Sequence, residues 1–352
     1  MYMLVKGKIM NQDIKKKINI AVIGSFWLPE KMIYVISKNV NASYYAQYSR
    51  TLSRADEFVK KAGQKDIKLY DNIIDLANDE NIDAVYIASP NYMHFSQSEL
   101  LLNAGKHVLC EKPICVYPWE YNKLCEISNN RKLIYLEAMM NAHLPWINRI
   151  KEIINDNEIV SANLNFCQRS SKLQLLKEGI VASTFSKECF GGALMDLGVY
   201  VLSFIYQLFG IPQEIKANSV FGETQIDVTD NLLIKYKNFS VNAAITKIAS
   251  SIMPSEIITK NGSIIIENIS RLENVKYYHK SGEIEIISEE VSFEKSLSLE
   301  LEDFISYINN PDNPKYMKNK ESSKNTVDML YNIRKSIGYE QNRSNASLNY
   351  TK

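Results

Sequence analysis

Between residues 18 and 140 short apolar runs alternate with stretches of helical period, and no other feature restricts the fold as tightly. "INIAVIG" (18–24), "SYYAQYS" (43–49), "DAVYIASP" (83–90), "HVLCEKP" (107–113) and "KLIYLEAMM" (132–140) read as strands. "EKMIYVISKN" (30–39), "LSRADEFVKKAG" (52–63, closed by Gly63) and the segments 92–105 and 118–129 read as helices. Short strands joined by helices of about 10 to 14 residues imply right-handed βαβ crossovers and a buried parallel sheet. The expected fold is α/β: an N-terminal Rossmann, doubly wound parallel sheet that binds ligands at the carboxyl ends of its strands.

After about residue 145 the texture changes. "EIVSANLNF", "DNLLIKYK", "FSVNAAITK", "SEIITK", "GSIIIEN", "NVKYYHK" and "EIEIISEE" alternate with a period of two, as half-exposed antiparallel strands do. Two helical stretches, "SLELEDFISYINN" and "SKNTVDMLYNIRKSIG", follow. The C-terminal part therefore reads as an α+β domain with one large, mainly antiparallel sheet. The expected organisation is an N-terminal extension (1–17), a dinucleotide-binding domain (18–140), a substrate and oligomerisation domain (141–338) and a disordered tail (339–352). A chain of 352 residues suits two domains. "ALMDLGVYVLSFIYQLF" (193–209) is too short, and with Asp196 too polar, for a membrane span; it reads as a buried helix.

A net charge of +1 with no strongly basic segment argues against nucleic acid as a partner. Five cysteines without paired spacing read as reduced thiols in a cytoplasmic protein. The four histidines show no ligand spacing with them, so no metal is expected.

The loop after the first strand, "AVIGSFWLPEKMIYVI" (21–36), stands where Gly-x-Gly-x-x-Gly is expected in a dinucleotide fold, yet only Gly24 is present. Phe26 occupies the second position and must point away from a phosphate. Pro29 occupies the third, where a compact residue and a first-turn proline are tolerated. The helix N-terminus still offers N–H groups to an anion. The second strand ends in Ser49-Arg50 without the acid that binds NAD ribose hydroxyls; Arg50 suits a 2′-phosphate instead.

"YSRTLSRADEFVKKAG", "ASPNYMHF", "AGKHVLCEKP", "LEAMMNAHLP" and "GGALMDLGVYVLSFIYQLFG" occur in that order, and as a set they resemble the Gfo/Idh/MocA oxidoreductase family. The similarity runs over roughly residues 18–340 and is greatest to the branch of glucose–fructose oxidoreductase, NADP-dependent xylose dehydrogenase and dimeric dihydrodiol dehydrogenase. The resemblance implies binding of NADP(H) in preference to NAD(H), against Gly24, Phe26, Trp27, Leu28, Ser49, Arg50, Ser89, Pro90, Asn91, His94, Glu111 and Lys112. His94 reads equally well as a packing histidine. Lys112 ends a parallel strand, where its ammonium can stabilise negative charge on a substrate oxygen and where desolvation is expected to lower its pKa. Pro113 is a candidate for a cis bond. Asp196 and Tyr200, four apart, share a helix face. The resemblance makes Tyr200 the proton-transfer residue or a second donor to the reacting hydroxyl, with Asp196 orienting the substrate or Lys112.

The branch carries an arginine where Ala142 stands and another near Ser183. Two readings follow. One is an NADP(H)-dependent enzyme interconverting a secondary alcohol and a carbonyl on a sugar, sugar derivative or polyol. The other is a non-catalytic nucleotide- or sugar-binding relative. The family also implies a homodimer or homotetramer, with Leu232, Ile234, Tyr236, Val241, Ala243 and Ile245 expected to help bury an outer sheet face.

Overall fold

The structure, a computed structural model, describes residues 17–339. The expected extension and tail lie outside the described residues except for Lys17 and Tyr339. Tyr339 is buried, and its hydroxyl donates to the Gly191 carbonyl at 3.1 Å.

The N-terminal half alternates as expected: β1 (Ile18–Ile23), α1 (Trp27–Lys38), β2 (Ala42–Tyr48), α2 (Leu52–Lys61), β3 (Lys68–Tyr70), α3 (Ile73–Ala77), β4 (Ala84–Ile87), α4 (Asn91–Asn103), β5 (His107–Glu111), α5 (Pro118–Asn130) and β6 (Tyr135–Ala138). The six strands are parallel, in the order β3-β2-β1-β4-β5-β6. The order reverses between β1 and β4, which opens a crevice beyond their carboxyl ends. The short pair β3 and α3 was not anticipated; three and five residues are too few to show a period.

The C-terminal half contains α6 (Ile147–Asp156), β7 (Ile159–Cys167), α7 (Leu173–Lys177), α8 (Val199–Phe209), β8 (Glu214–Phe221), β9 (Asp227–Lys235), β10 (Ser240–Thr246), β11 (Ser255–Thr259), β12 (Gly262–Ile266), β13 (Lys276–His279), β14 (Ile284–Ile286), α9 (Phe293–Asn309) and α10 (Pro314–Ser336). Its sheet runs β14-β13-β12-β11-β7-β10-β9-β8, antiparallel except for the β7–β10 pair. The edge strand β8 has no buried residue, which is why its sequence gave no strand signal. A single turn of π-helix (Leu194–Gly198) leads into α8, whose Val199, Val201, Leu202, Phe204 and Ile205 are fully buried.

One expectation is corrected. Leu232, Ile234, Tyr236, Val241, Ala243 and Ile245 all belong to the core that includes Leu202 and Phe204. Ile234 pairs with Val241 and Leu232 with Ala243, so the strand period puts them on one inner face. The opposite face carries Asn231, Leu233, Lys235 and Asn242, all exposed.

The last two helices return to the N-terminal half. Leu297, Leu301, Phe304 and Tyr307 of α9 and Tyr316 of α10 share a core with Ile20, Met32 and Tyr86. Among the described residues no helix is long and apolar enough to cross a membrane.

Candidate active site

Gly24 stands at the mouth of the crevice with φ +123°, and a Cβ there would lie 2.7 Å from the Ala88 carbonyl oxygen. Only glycine fits this turn. Pro29 is buried, with its Cγ 3.2 Å from the same point, so it provides the close helix–strand contact expected of the third glycine. Helix α1 starts three residues earlier than its period suggests. Phe26 is its N-cap, in extended conformation and half-exposed, and no side chain caps the first turn. The N–H groups of that turn are thus open to an anion. Trp27 is exposed, with its ring 5.3 Å from that of Phe293; Leu28 is half-buried against the core.

At the end of β2, Ser49 is buried and its hydroxyl meets that of Ser25, while Arg50 is exposed. Gln47 Nε2 donates to the Gly24 carbonyl at 2.7 Å and ties the two strand ends together. A glycine-bounded cradle, an uncapped helix N-terminus and an arginine in place of an acid fit a dinucleotide that carries a 2′-phosphate.

Beyond β4, Pro90 is the N-cap of α4. Ser89 donates to Gln97 at 2.7 Å, and Asn91 donates to the Phe190 carbonyl at 2.9 Å. His94 is buried, with Nδ1 2.9 Å from the Pro113 carbonyl and Nε2 2.8 Å from the Ser89 carbonyl. Its ring is therefore engaged by backbone on both sides. It joins the end of β4 to the turn after β5, where the Lys112–Pro113 bond is cis.

Lys112 follows β5 directly. Its Nζ lies 2.8 Å from the Asp196 carbonyl, 3.1 Å from the Asp196 carboxylate and 5.0 Å from the Tyr200 ring centroid. Asn141 Nδ2 donates to the Tyr200 carbonyl at 3.1 Å and to that of Ile269 at 3.3 Å, which fixes the first turn of α8. Glu111 is buried and accepts from the Tyr86 hydroxyl at 2.6 Å. The side chains of Lys112 and Asp196 keep 15% and 28% exposure, so the pair can meet a solute.

The charge states differ from expectation. Burial does disfavour the Lys112 ammonium, but Asp196, Tyr200 and Glu111 outweigh it and raise its pKa. Burial and the nearby carboxylates raise that of Tyr200, against the pull of Lys112. Asp196 is held below the usual carboxylate range: burial opposes its charge, but Lys112 and Lys247 overcome it. At neutral pH the site holds two protonated donors around one carboxylate.

Residues 18–139 match the model of an oxidoreductase family with an NAD-binding Rossmann fold. The scyllo-inositol 2-dehydrogenase (NADP(+)) IolU of Bacillus subtilis is 30% identical over 323 residues, 91% of this chain and 97% of that protein. The chain belongs to the Gfo/Idh/MocA oxidoreductase family. Within it, D-xylose 1-dehydrogenase (NADP(+)) of Hypocrea jecorina is 36% identical over 165 residues, 45% of this chain and 42% of that enzyme. The fold is shared with KijD10, a 3-ketoreductase from Actinomadura kijaniata, solved with NADP and TDP-benzene: TM-score 0.80, 19% identity, 91% of this chain and 98% of that one. As a Gfo/Idh/MocA member the chain is an NAD(P)-binding oxidoreductase.

Two features of this Gfo/Idh/MocA site were not read from the sequence. One is Lys247, wholly buried at the end of β10, with Nζ 3.2 Å from the Asp196 carboxylate. It follows Val241, Ala243 and Ile245 on the inward face, and a charge in that register is the signal that was available. The other concerns the two positions lacking arginine. Ala142 is buried in the core, whereas Ser183 is exposed beside Thr184, whose carbonyl accepts from Lys247 at 2.6 Å.

Proposed function

We propose that the protein is an NADP(H)-dependent oxidoreductase that interconverts a secondary alcohol and a carbonyl on a sugar, sugar derivative or polyol. The observation that carries this reading is the Lys112–Asp196–Tyr200 cluster beyond the carboxyl end of β5, beside the crevice that suits the cofactor. Bound NADP(H) would exchange hydride with the substrate carbon. Lys112 and Tyr200 would hold the substrate oxygen and supply or accept its proton, and Asp196 would orient Lys112. Arg50, exposed beside the buried Ser49, supports preference for the phosphorylated cofactor. Ser89, Asn91 and His94 would act by fixing the strand ends around the nicotinamide side, and Glu111 through Lys112.

The relatives' names support a polyol or aldose as the first compounds to try. The test titrates the protein with NADPH and NADH by nicotinamide fluorescence, then assays scyllo-inositol, myo-inositol, D-xylose, other aldoses and keto-sugars in both directions. Tighter NADPH binding together with turnover of a panel member supports the reading. Binding without any turnover above that of a Lys112→Met/Tyr200→Phe variant would favour a non-catalytic relative. A homodimer or homotetramer in a reducing cytoplasm, which the unpaired thiols suit, belongs to the same proposal. Sedimentation at micromolar concentration tests the assembly, and a monomer would contradict it.

A further inference from the structure

Lys247 is a lysine with almost no access to solvent, 1% at its side chain, paired with an acid that keeps 28%. Its Nζ lies 2.6 Å from the Thr184 carbonyl, 3.5 Å from that of Gly192 and 3.2 Å from Asp196 Oδ2, and it sits 4.5 Å above the centre of the Phe185 ring. Burying an ammonium is costly unless acceptors replace its water. Here two carbonyls, a carboxylate and a ring face do so. Lys112 takes the other carboxylate oxygen, Oδ1, at 3.1 Å. One partly exposed carboxylate thus bridges two lysines, and the three groups carry a net positive charge.

We propose that Lys247 is a positioning residue for proton transfer: it holds Asp196 Oδ2 so that Oδ1 meets Lys112, and its charge keeps Asp196 from binding Lys112 too tightly. The proposal rests on the Lys112–Tyr200 reading given above. With Lys247 in place, Asp196 divides its attraction between two cations, and Lys112 feels a second positive charge across the carboxylate. Both effects ease loss of the Lys112 proton and favour negative charge on a substrate oxygen. Without Lys247, Asp196 would pair with Lys112 alone. The other charged or titratable groups facing Lys112 are Tyr200 from α8, Glu111 at the end of β5, Glu137 from β6 and His94 from α4, and none of them changes when Lys247 is replaced.

The test uses the full chain with Lys247→Gln, which keeps a donor for Thr184 and removes the charge, and Lys247→Arg, which keeps the charge. NADPH affinity and melting temperature report folding. One readout is independent of turnover: competitive trace acetylation followed by mass spectrometry gives the reactivity of the Lys112 amine against pH. In Lys247→Gln, Lys112 should react at least about tenfold more slowly near pH 9. The alkaline limb of alcohol oxidation, measured with NADP⁺ and whichever panel polyol is turned over, should move up by about one pH unit, with kcat lower and KM for NADP⁺ unchanged. Lys247→Arg should restore both profiles. In an Asp196→Asn background Lys247→Gln should shift the profiles less than it does in the wild type, because the part that acts through that carboxylate is already lost and only the direct repulsion between the two lysines remains.

If Lys247→Gln leaves both profiles at wild type while Lys112→Met abolishes turnover, the role of Lys247 is overturned and the catalytic reading survives. If Lys112→Met also leaves turnover intact, the catalytic reading itself has failed. Should the glutamine variant not fold, the arginine variant decides, since a shifted profile with the charge retained would count against the proposal.

Discussion

Lys112 Nζ lies 2.8 Å from the carbonyl oxygen of Asp196 and 3.1 Å from its carboxylate, so a single residue grips the ammonium twice. This grip, with Tyr200 and Glu111, is what overcomes burial and keeps Lys112 protonated. Tyr200 is raised as well, by burial first. Both donors are loaded at neutral pH. Carbonyl reduction should therefore be nearly independent of pH from 6 to 8, whereas alcohol oxidation, which needs an empty acceptor, should climb as pH rises through the alkaline range. Steady-state rates in both directions over pH 6–10 check this; an oxidation rate that falls above pH 8 while the protein stays folded counts against it.

Lys112→Met and Tyr200→Phe should each lower turnover by about 10²–10⁴-fold, the scale for a positioned acid or base. NADPH affinity should barely change. The double variant should lose much less than the product of the two effects, because both groups serve one oxygen. Independent, multiplying losses would mean that they act in separate steps.

Arg50→Ala should weaken NADPH binding by about 1.5–3 kcal/mol and leave NADH almost untouched, the range for a hydrogen bond to a charged group. Fluorescence titration of both cofactors decides it. Equal losses would exclude the 2′-phosphate as the partner of Arg50.

Gly192 has φ +126°, and a Cβ there would fall 2.1 Å from Asp227 Oδ1. Asp227 in turn accepts from the Leu194 N–H at 2.6 Å, at the start of the turn that carries Asp196. Gly192→Ala should cost about 2–4 kcal/mol through backbone strain and the displaced carboxylate. It should also lower kcat in the protein that still folds. Thermal melting and turnover together test this, and a melting temperature within a degree of wild type would refute the close contact.

Asp230 keeps its proton in the folded protein. Burial first, and the Asp227 carboxylate second, push it up to about 9, against an ordinary value of 3.8. Between those values the folded state binds a proton that the unfolded chain has released. Stability therefore falls as pH rises through this window, by at most about 1.4 kcal/mol per pH unit for one group. Asp230→Asn offers an amide donor to Asp227 in place of the carboxylic proton. Its advantage in melting temperature over wild type should widen from pH 5 to pH 8.5; a constant difference would remove Asp230 as the protonated partner.

The elements on which the site stands were legible because each is a local pattern. Lys112 ends an apolar strand, and Asp196 and Tyr200 interrupt an apolar helix, so residue type and spacing expose them. The partners were not legible. Lys112 meets a residue 84 positions away, and Lys247 one 51 positions away, and no local period encodes such distances. The charge states escaped for the same reason: the sequence shows that Lys112 is desolvated but not that Asp196, Tyr200 and Glu111 surround it. The six residues assigned to an outer sheet face show a further limit. Period two tells which residues share a face, and only packing against α8 tells which face is inside.

The return of α9 and α10 to the N-terminal half bears on how this chain matures during synthesis. Ile20, Met32 and Tyr86 bury themselves against Leu297, Phe304 and Tyr316, which leave the ribosome only after all eight strands of the second sheet. At about 5–20 residues per second, the roughly 150 residues between β6 and α9 take about 8–30 s to appear. Through that interval the first half exposes an unfinished apolar surface, a binding opportunity for nascent-chain chaperones that closes only when α9 and α10 have emerged.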